Sequence, residues 1–186
     1  MANKDAAFGL KAIGKVGQNR DNQGLSEYSI AASASAIYQN DPVEMLATGT
    51  IGVAAATDVL LGSLNGVFYT DASTSKPTWA NHLAAANTAT DIVGFVSDDP
   101  YERFEIQSAG TVAAADIGLC ADIVYAAGGS HDYVSGVEIS GTMAAATAQL
   151  KIIGVSKDPD NDELGAANAN VVVIINEHFL KQTAGI

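Results

Sequence analysis

The stretch Leu150–Asn176, LKIIGVSKDPDNDELGAANANVVVIIN, decides the fold. It opens on the apolar run Ile152-Ile153-Gly154-Val155 and passes through Asp158-Pro159-Asp160-Asn161. It closes on Val171–Ile175, five β-branched residues in succession. β-Branched runs separated by Asp, Asn, Pro and Gly mark two strands joined by a turn. The final run shows no alternation, which predicts that both its faces are covered, one by the core and the other by a subunit neighbour. Glycine inside a strand marks a bulge or a close backbone approach, and Gly154 is a candidate for either.

A second stretch, Asp91–Gln107 (DIVGFVSDDPYERFEIQ), repeats the design with Ile92-Val93-Gly94-Phe95-Val96, an Asp99-Pro100 step and another strand-like run. The same reading predicts a second hairpin. Asn65-Gly66, which tolerates positive φ at both positions, predicts a third between Leu60–Leu64 and Val67–Thr70. Shorter strand-like pieces are Glu27–Ala31, Ala36–Gln39, Val43–Leu46, Thr48–Val53, Ala113–Tyr125 and Val137–Ile139. Ala72–Ala89, rich in Ser, Thr, Ala and Asn, reads as a long excursion with one helical turn near Asn81–Ala86. No long amphipathic helix separates the strands, so a doubly wound sheet is excluded. The expectation is an all-β fold, a small β-barrel or β-sandwich of about ten short strands, the spacing of turn signals being that of such folds. Residues 1–27 would form an extended N-terminal arm, residues 28–180 a single β domain, and residues 181–186 a loose tail.

At 186 residues the chain is long enough to bury a core without covalent staples. Aromatics are only 6%, and alanine and glycine supply much of the apolar content. Small residues bury little area each, which predicts that subunit contacts add to stability. The net charge of −12 argues against a general nucleic-acid binder. Residues 1–20 nevertheless carry +3 (Lys4, Lys11, Lys15 and Arg20 against Asp5), leaving −15 on the rest. A basic arm on an acidic body suits reaching onto an acidic neighbour. The single cysteine, Cys120, sits in a strand-like segment and reads as a small buried hydrophobe. No signal peptide or membrane-length apolar run is visible, so synthesis and residence in a cytoplasm are expected.

Motifs for chemistry fail one by one. Gly9 to Lys15 matches G-x-x-x-x-G-K, but Val16 stands where a phosphate loop needs a hydroxyl for magnesium, and only eight residues precede Gly9. The acidic loop at Asp158, Asp160, Asp162 and Glu163 lacks the glycine and the final glutamate of a calcium loop, with Glu163 and Ala169 in their places. Asp98, Asp99, Glu102 and Glu105 offer carboxylates for acid–base work, but nothing pairs two of them across a cleft. His82, His131 and His178 match no zinc spacing. The expectation is therefore no enzyme, no cofactor and no metal.

The order of weak motifs across roughly residues 6–178 resembles the capsid decoration, or cement, proteins of tailed bacteriophages. It is carried by Ala7-Phe8-Gly9-Leu10-Lys11-Ala12-Ile13-Gly14, Glu27-Tyr28-Ser29-Ile30-Ala31, Ala36-Ile37-Tyr38 and Asp41-Pro42-Val43. It continues through Leu60–Tyr69, Asp99-Pro100 with Phe104–Gln107, and Leu150–Val155 with Pro159-Asp160-Asn161. Lys11-Ala12 stand where the pattern has Arg-Pro or a similar pair. The resemblance implies a dimer or trimer on the outside of the head shell, locking major capsid subunits together, with no active site. Candidate partner-binding residues are Phe8, Lys11, Ile13, Lys15, Arg20 and Trp79. The alternative reading is another virion component, a tail or fibre-base protein that binds a host surface.

Overall fold

The computed structural model describes residues 2–17 and 24–182. Its first strand is β1 (Lys11–Lys15). There follow β2 (Ser26–Ser29), β3 (Pro42–Met45), β4 (Ile51–Val53), β5 (Leu60–Thr70), β6 (Pro77–Ala80) and β7 (Val93–Ser97). These six make one antiparallel sheet in the order β2-β7-β5-β3-β4, with β6 also on β5. The rest of the chain supplies β8 (Glu102–Gln107), β9 (Cys120–Ala121), β10 (Ile123–Val124), β11 (Glu138–Ile139), β12 (Leu150–Val155) and β13 (Asn170–Ile175). The second sheet runs β1-β8-β13-β12-β9, and β10 and β11 pair as a small ribbon. The fold is all-β. Both large sheets are open, so the barrel alternative gives way to layered sheets.

Each sheet buries its own core. Phe104, Ile106, Leu150, Ile152, Val171, Val173 and Ile175 line the inner face of the second sheet. Ile123 and Ile139 of the ribbon cover them, together with Leu10, Ala54 and Leu60. The first sheet turns Val43, Leu61, Leu64, Val67 and Val96 onto Ile30, Ile37, Leu83 and Ile92 from its connecting segments. Leu60 and Leu61 are adjacent in β5 and enter different cores, which joins the two bodies at one strand. Leu60 N–H also donates to the Glu177 carbonyl (3.0 Å), and Gln149 Nε2 donates to the carbonyls of Ala55 and Asp58. These backbone groups at the junction are thereby satisfied rather than buried alone.

The Leu150–Asn176 hairpin forms as expected, Leu150 opposite Ile175 and Val155 opposite Val171, with a bulge between Ile152 and Gly154. The other two expected hairpins do not. Asn65-Gly66 lies inside the continuous eleven-residue β5, where it makes a bulge against β7. Strand pairing on both edges of β5 overrides the local turn preference, because β3 and β6 occupy one edge in tandem and β7 the other. Asp91–Gln107 is a crossover: β7 belongs to the first sheet and β8 to the second, so its Asp99-Pro100 step changes sheets. Ala36–Gln39 forms only isolated bridges, and Asn81–Ala86 contains no helical turn.

The expected arm is also largely built into the body. β1 pairs antiparallel with β8, and Leu10 is fully buried. Asn3 bonds the backbone of Glu163 and Ala167, while the Lys4 carbonyl accepts from Asn161 Nδ2 (2.7 Å) and Gln107 Nε2 (2.9 Å). Residues 3–6 therefore strap the β12–β13 loop to the end of β8. Gly9, at φ +71°, allows this path, since a Cβ there would lie 2.4 Å from the Asn40 carbonyl oxygen.

Candidate functional site

Of the six candidate partner residues, four (Phe8, Lys11, Lys15 and Trp79) have their polar or aromatic groups engaged within the chain. Lys15 Nζ lies 2.6 Å from Asp99 Oδ2, and this contact raises the lysine pKa and lowers that of the aspartate. Lys11 Nζ sits 3.5 Å from Glu105 Oε2 and 5.9 Å from the Phe8 ring centroid. Ile13 remains 41% exposed on the edge strand β1, beside the similarly exposed Val16. Arg20 lies outside the described residues. Trp79 is on the other sheet altogether.

Strand parity defines a first surface. Val171, Val173 and Ile175 point into the core, so Val172 and Ile174 point out, where both are half-buried. Lys151 stands directly opposite Ile174, and Glu105 opposite both Lys11 and Val172. Arg103 shares the outward parity of Glu105, and Ile153, extruded by the bulge, is 37% exposed. The outer face of the second sheet is thus an apolar strip of Val172, Ile174 and Ile153. It is flanked by Lys11, Arg103 and Lys151, with Glu105 bound to Lys11 and to the Ser156 hydroxyl. On a chain of net charge −12 this is a local excess of positive charge. Both faces of β13 carry apolar side chains, as its sequence predicts, but only one is fully covered.

A second surface lies on the outer face of the first sheet. Trp79 pairs across strands with Phe68, and its ring is stacked on Phe95 at a centroid distance of 4.8 Å and an interplanar angle of 26°. Phe68 approaches from the side at 5.1 Å. The indole is 68% exposed all the same. An apolar groove runs beside it past Leu25, Asn65, Gln39 and Asn81. It continues into a cleft of about 430 Å³ that reaches Lys11 and Glu102.

The residues tested for chemistry are dispersed. Gly9–Val16 runs extended into β1 and offers no phosphate loop. Asp98 accepts from the Ser26 hydroxyl (2.9 Å) and the Tyr28 hydroxyl (2.6 Å). Asp158 accepts from the Asp160 N–H, closing a turn rather than a cation cage, and no metal-ligating group of three acids, cysteines or histidines occurs among the described residues. His82 stacks on Tyr133 at 3.8 Å, and burial lowers its pKa. Burial likewise pushes up the Cys120 thiol, which suits a packed hydrophobe rather than a nucleophile.

Two buried ionisable groups escaped the sequence reading. Asp41 is fully buried, accepts from the Tyr38 N–H (2.7 Å), and is pushed up to about 6 by desolvation. His178 is also fully buried, accepts at Nδ1 from the Leu180 N–H, and is lowered to about 4, chiefly by burial. Among the described residues Asp41 Oδ1 and His178 Nε2 have no well-formed hydrogen bond.

Fold and surfaces together define an all-β protein with two distinct exposed patches, one basic–apolar and one aromatic. Comparison with family models, curated proteins and solved structures gives no match to this chain.

Proposed function

We propose that this chain is a non-enzymatic virion structural protein that binds the outside of a tailed-phage head shell as a dimer or trimer and stabilises contacts between major capsid subunits. The observation that carries the reading is the outer face of the second sheet. A strip of Val172, Ile174 and Ile153 on regular strands, ringed by Lys11, Arg103 and Lys151, suits docking on a flat, acidic protein surface. The order of motifs resembling decoration proteins names the kind of surface. The strongly acidic remainder favours solubility at high copy number and discourages binding to nucleic acid. Many copies, each burying a modest area, sum their contacts over a multivalent shell. No cofactor enters this role.

Co-sedimentation with expanded, tailless head shells of the same phage tests it. The native chain is expected to pellet with the shells, and an Ile174→Asp chain with unchanged melting temperature to stay in the supernatant. Failure of the native chain to pellet, or its recovery only with isolated tails, would overturn the reading.

A further inference from the structure

The aromatic groove on the first sheet serves no part of the docking role, and its chemistry is specific enough to name a ligand. Trp79 presents one indole face to solvent while Phe95 and Phe68 hold its orientation. An exposed but immobilised tryptophan is a platform, since its entropy is already lost before anything binds. The described residues that line the groove beside it, about 530 Å³, include no ionisable side chain on a chain of net charge −12. Its polar groups are side-chain amides. Asn65 is exposed and Gln39 half-exposed, and among the described residues neither side-chain amide has a hydrogen-bond partner. Asn81 is fixed by donating to the Asp132 carbonyl (3.1 Å) and by its contact with His82 Nδ1.

We propose that this groove binds a neutral hexopyranose unit of an oligosaccharide. The apolar C–H face of a pyranose matches the indole plane and the Leu25 side chain. Its hydroxyls each donate and accept, as a carboxamide does, so Asn65 and Gln39 can pair with neighbouring hydroxyls. A charged ligand would find no counter-charge among the described lining residues, and an anionic one would also meet the chain's net negative charge. A peptide would be expected to pair through its backbone with the free edge of β6, whereas the groove offers the flat face of Trp79 with side-chain amides beside it. Continuity with the neighbouring cleft through Leu25, Gln39 and Asn65 leaves room for further sugar units along the chain.

Trp79 is the sole tryptophan, so its emission reports on this groove alone. The full-length protein is titrated with maltotriose, cellotriose, chitotriose and N-acetyllactosamine at up to millimolar concentration. At least one is expected to change the emission saturably. Binding of that sugar, followed by calorimetry, is expected to weaken about tenfold in Asn65→Ala and Gln39→Ala. It should vanish in Trp79→Ala, with the melting temperature of each variant confirming the fold. No saturable response to any of the four sugars would overturn the proposal. So would binding that survives Trp79→Ala, or a response produced only by an apolar peptide.

Discussion

Lys15 Nζ, at the end of the N-terminal strand, lies 2.6 Å from Asp99 Oδ2, in the segment where the chain crosses from one sheet to the other. Val16 N–H reinforces the join by donating to the Tyr101 carbonyl at 2.9 Å. The segment expected to reach outward is instead clasped to the crossover. Its basic charges are partly spent there, so what remains for a partner is the outer face of the second sheet.

The clasp is held by packing more than by charge. Leu10→Ala removes a fully buried side chain from the second core and should cost about 2–5 kcal/mol. Lys15→Ala should cost only about 0–1 kcal/mol, because both partners are partly solvated. Urea denaturation of the two variants gives the comparison; equal losses would refute it. Deletion of residues 2–15 should therefore impair folding itself, not merely partner binding.

Two glycines should respond in opposite ways. A Cβ on Gly62 would lie 2.2 Å from the Ser97 carbonyl oxygen, a backbone atom that cannot move aside, so Gly62→Ala should cost about 3 kcal/mol or more. Gly154 marks a bulge but has open space where its Cβ would stand, so Gly154→Ala should change stability by about 0.5 kcal/mol or less. Thermal melts of both variants decide it.

The two buried ionisable groups set opposing pH dependences. His178, lowered from 6.5 to about 4, is neutral in the fold where the unfolded chain would take up a proton. Its contribution is complete above pH 6.5 and is lost as the pH falls toward 4. Asp41, raised from 3.8 to about 6, holds its proton in the fold, so stability is greatest below pH 3.8 and falls as the pH rises through 6. The two slopes offset each other between about pH 4 and 6. Asp41→Asn should leave a stability that climbs more steeply with pH across this interval, and His178→Gln one that falls relative to the parent. Denaturation midpoints at several pH values check both signs.

The two surfaces should be separable. Ile174→Asp should reduce shell binding by tenfold or more while leaving the Trp79 emission unchanged. Trp79→Ala should leave shell occupancy unchanged. Quantitative co-sedimentation of the two variants reads the outcome, and a common loss would mean that one surface serves both.

The legible part of the fold was the part with local pairing. Leu150–Asn176 pairs with itself across a single loop, so composition and turn residues were enough to find it. Asp91–Gln107 carries the same signals, but an Asp-Pro step fits a crossover as well as a hairpin, and its strands find partners elsewhere: β7 on β5, β8 on β13. Asn65-Gly66 looked like a turn because turn preference is local, whereas the edges of β5 are filled by strands distant in sequence. β1 was missed for a related reason. Its Lys-Ala-Ile-Gly-Lys pattern is weak, and its partner β8 lies about ninety residues away. Trp79 drew notice by its rarity, but the phenylalanines that orient it come from β5 and β7. The cluster of Lys11, Arg103 and Lys151 depends on register across four strands, which no spacing along the chain reveals.

The placement of β1 has a consequence for how the chain is made. Residues 26–97 complete the first sheet from one continuous segment, which can fold while the ribosome is still translating the rest. The second sheet has no such freedom. Leu10 and β1 precede the first sheet in the chain but must wait for β8 to form their pairing and for β12 and β13 to close the core around them. Leu10 is thus made well before the strands that bury it, and it stays open to water, or to a chaperone, until β12 and β13 have been translated.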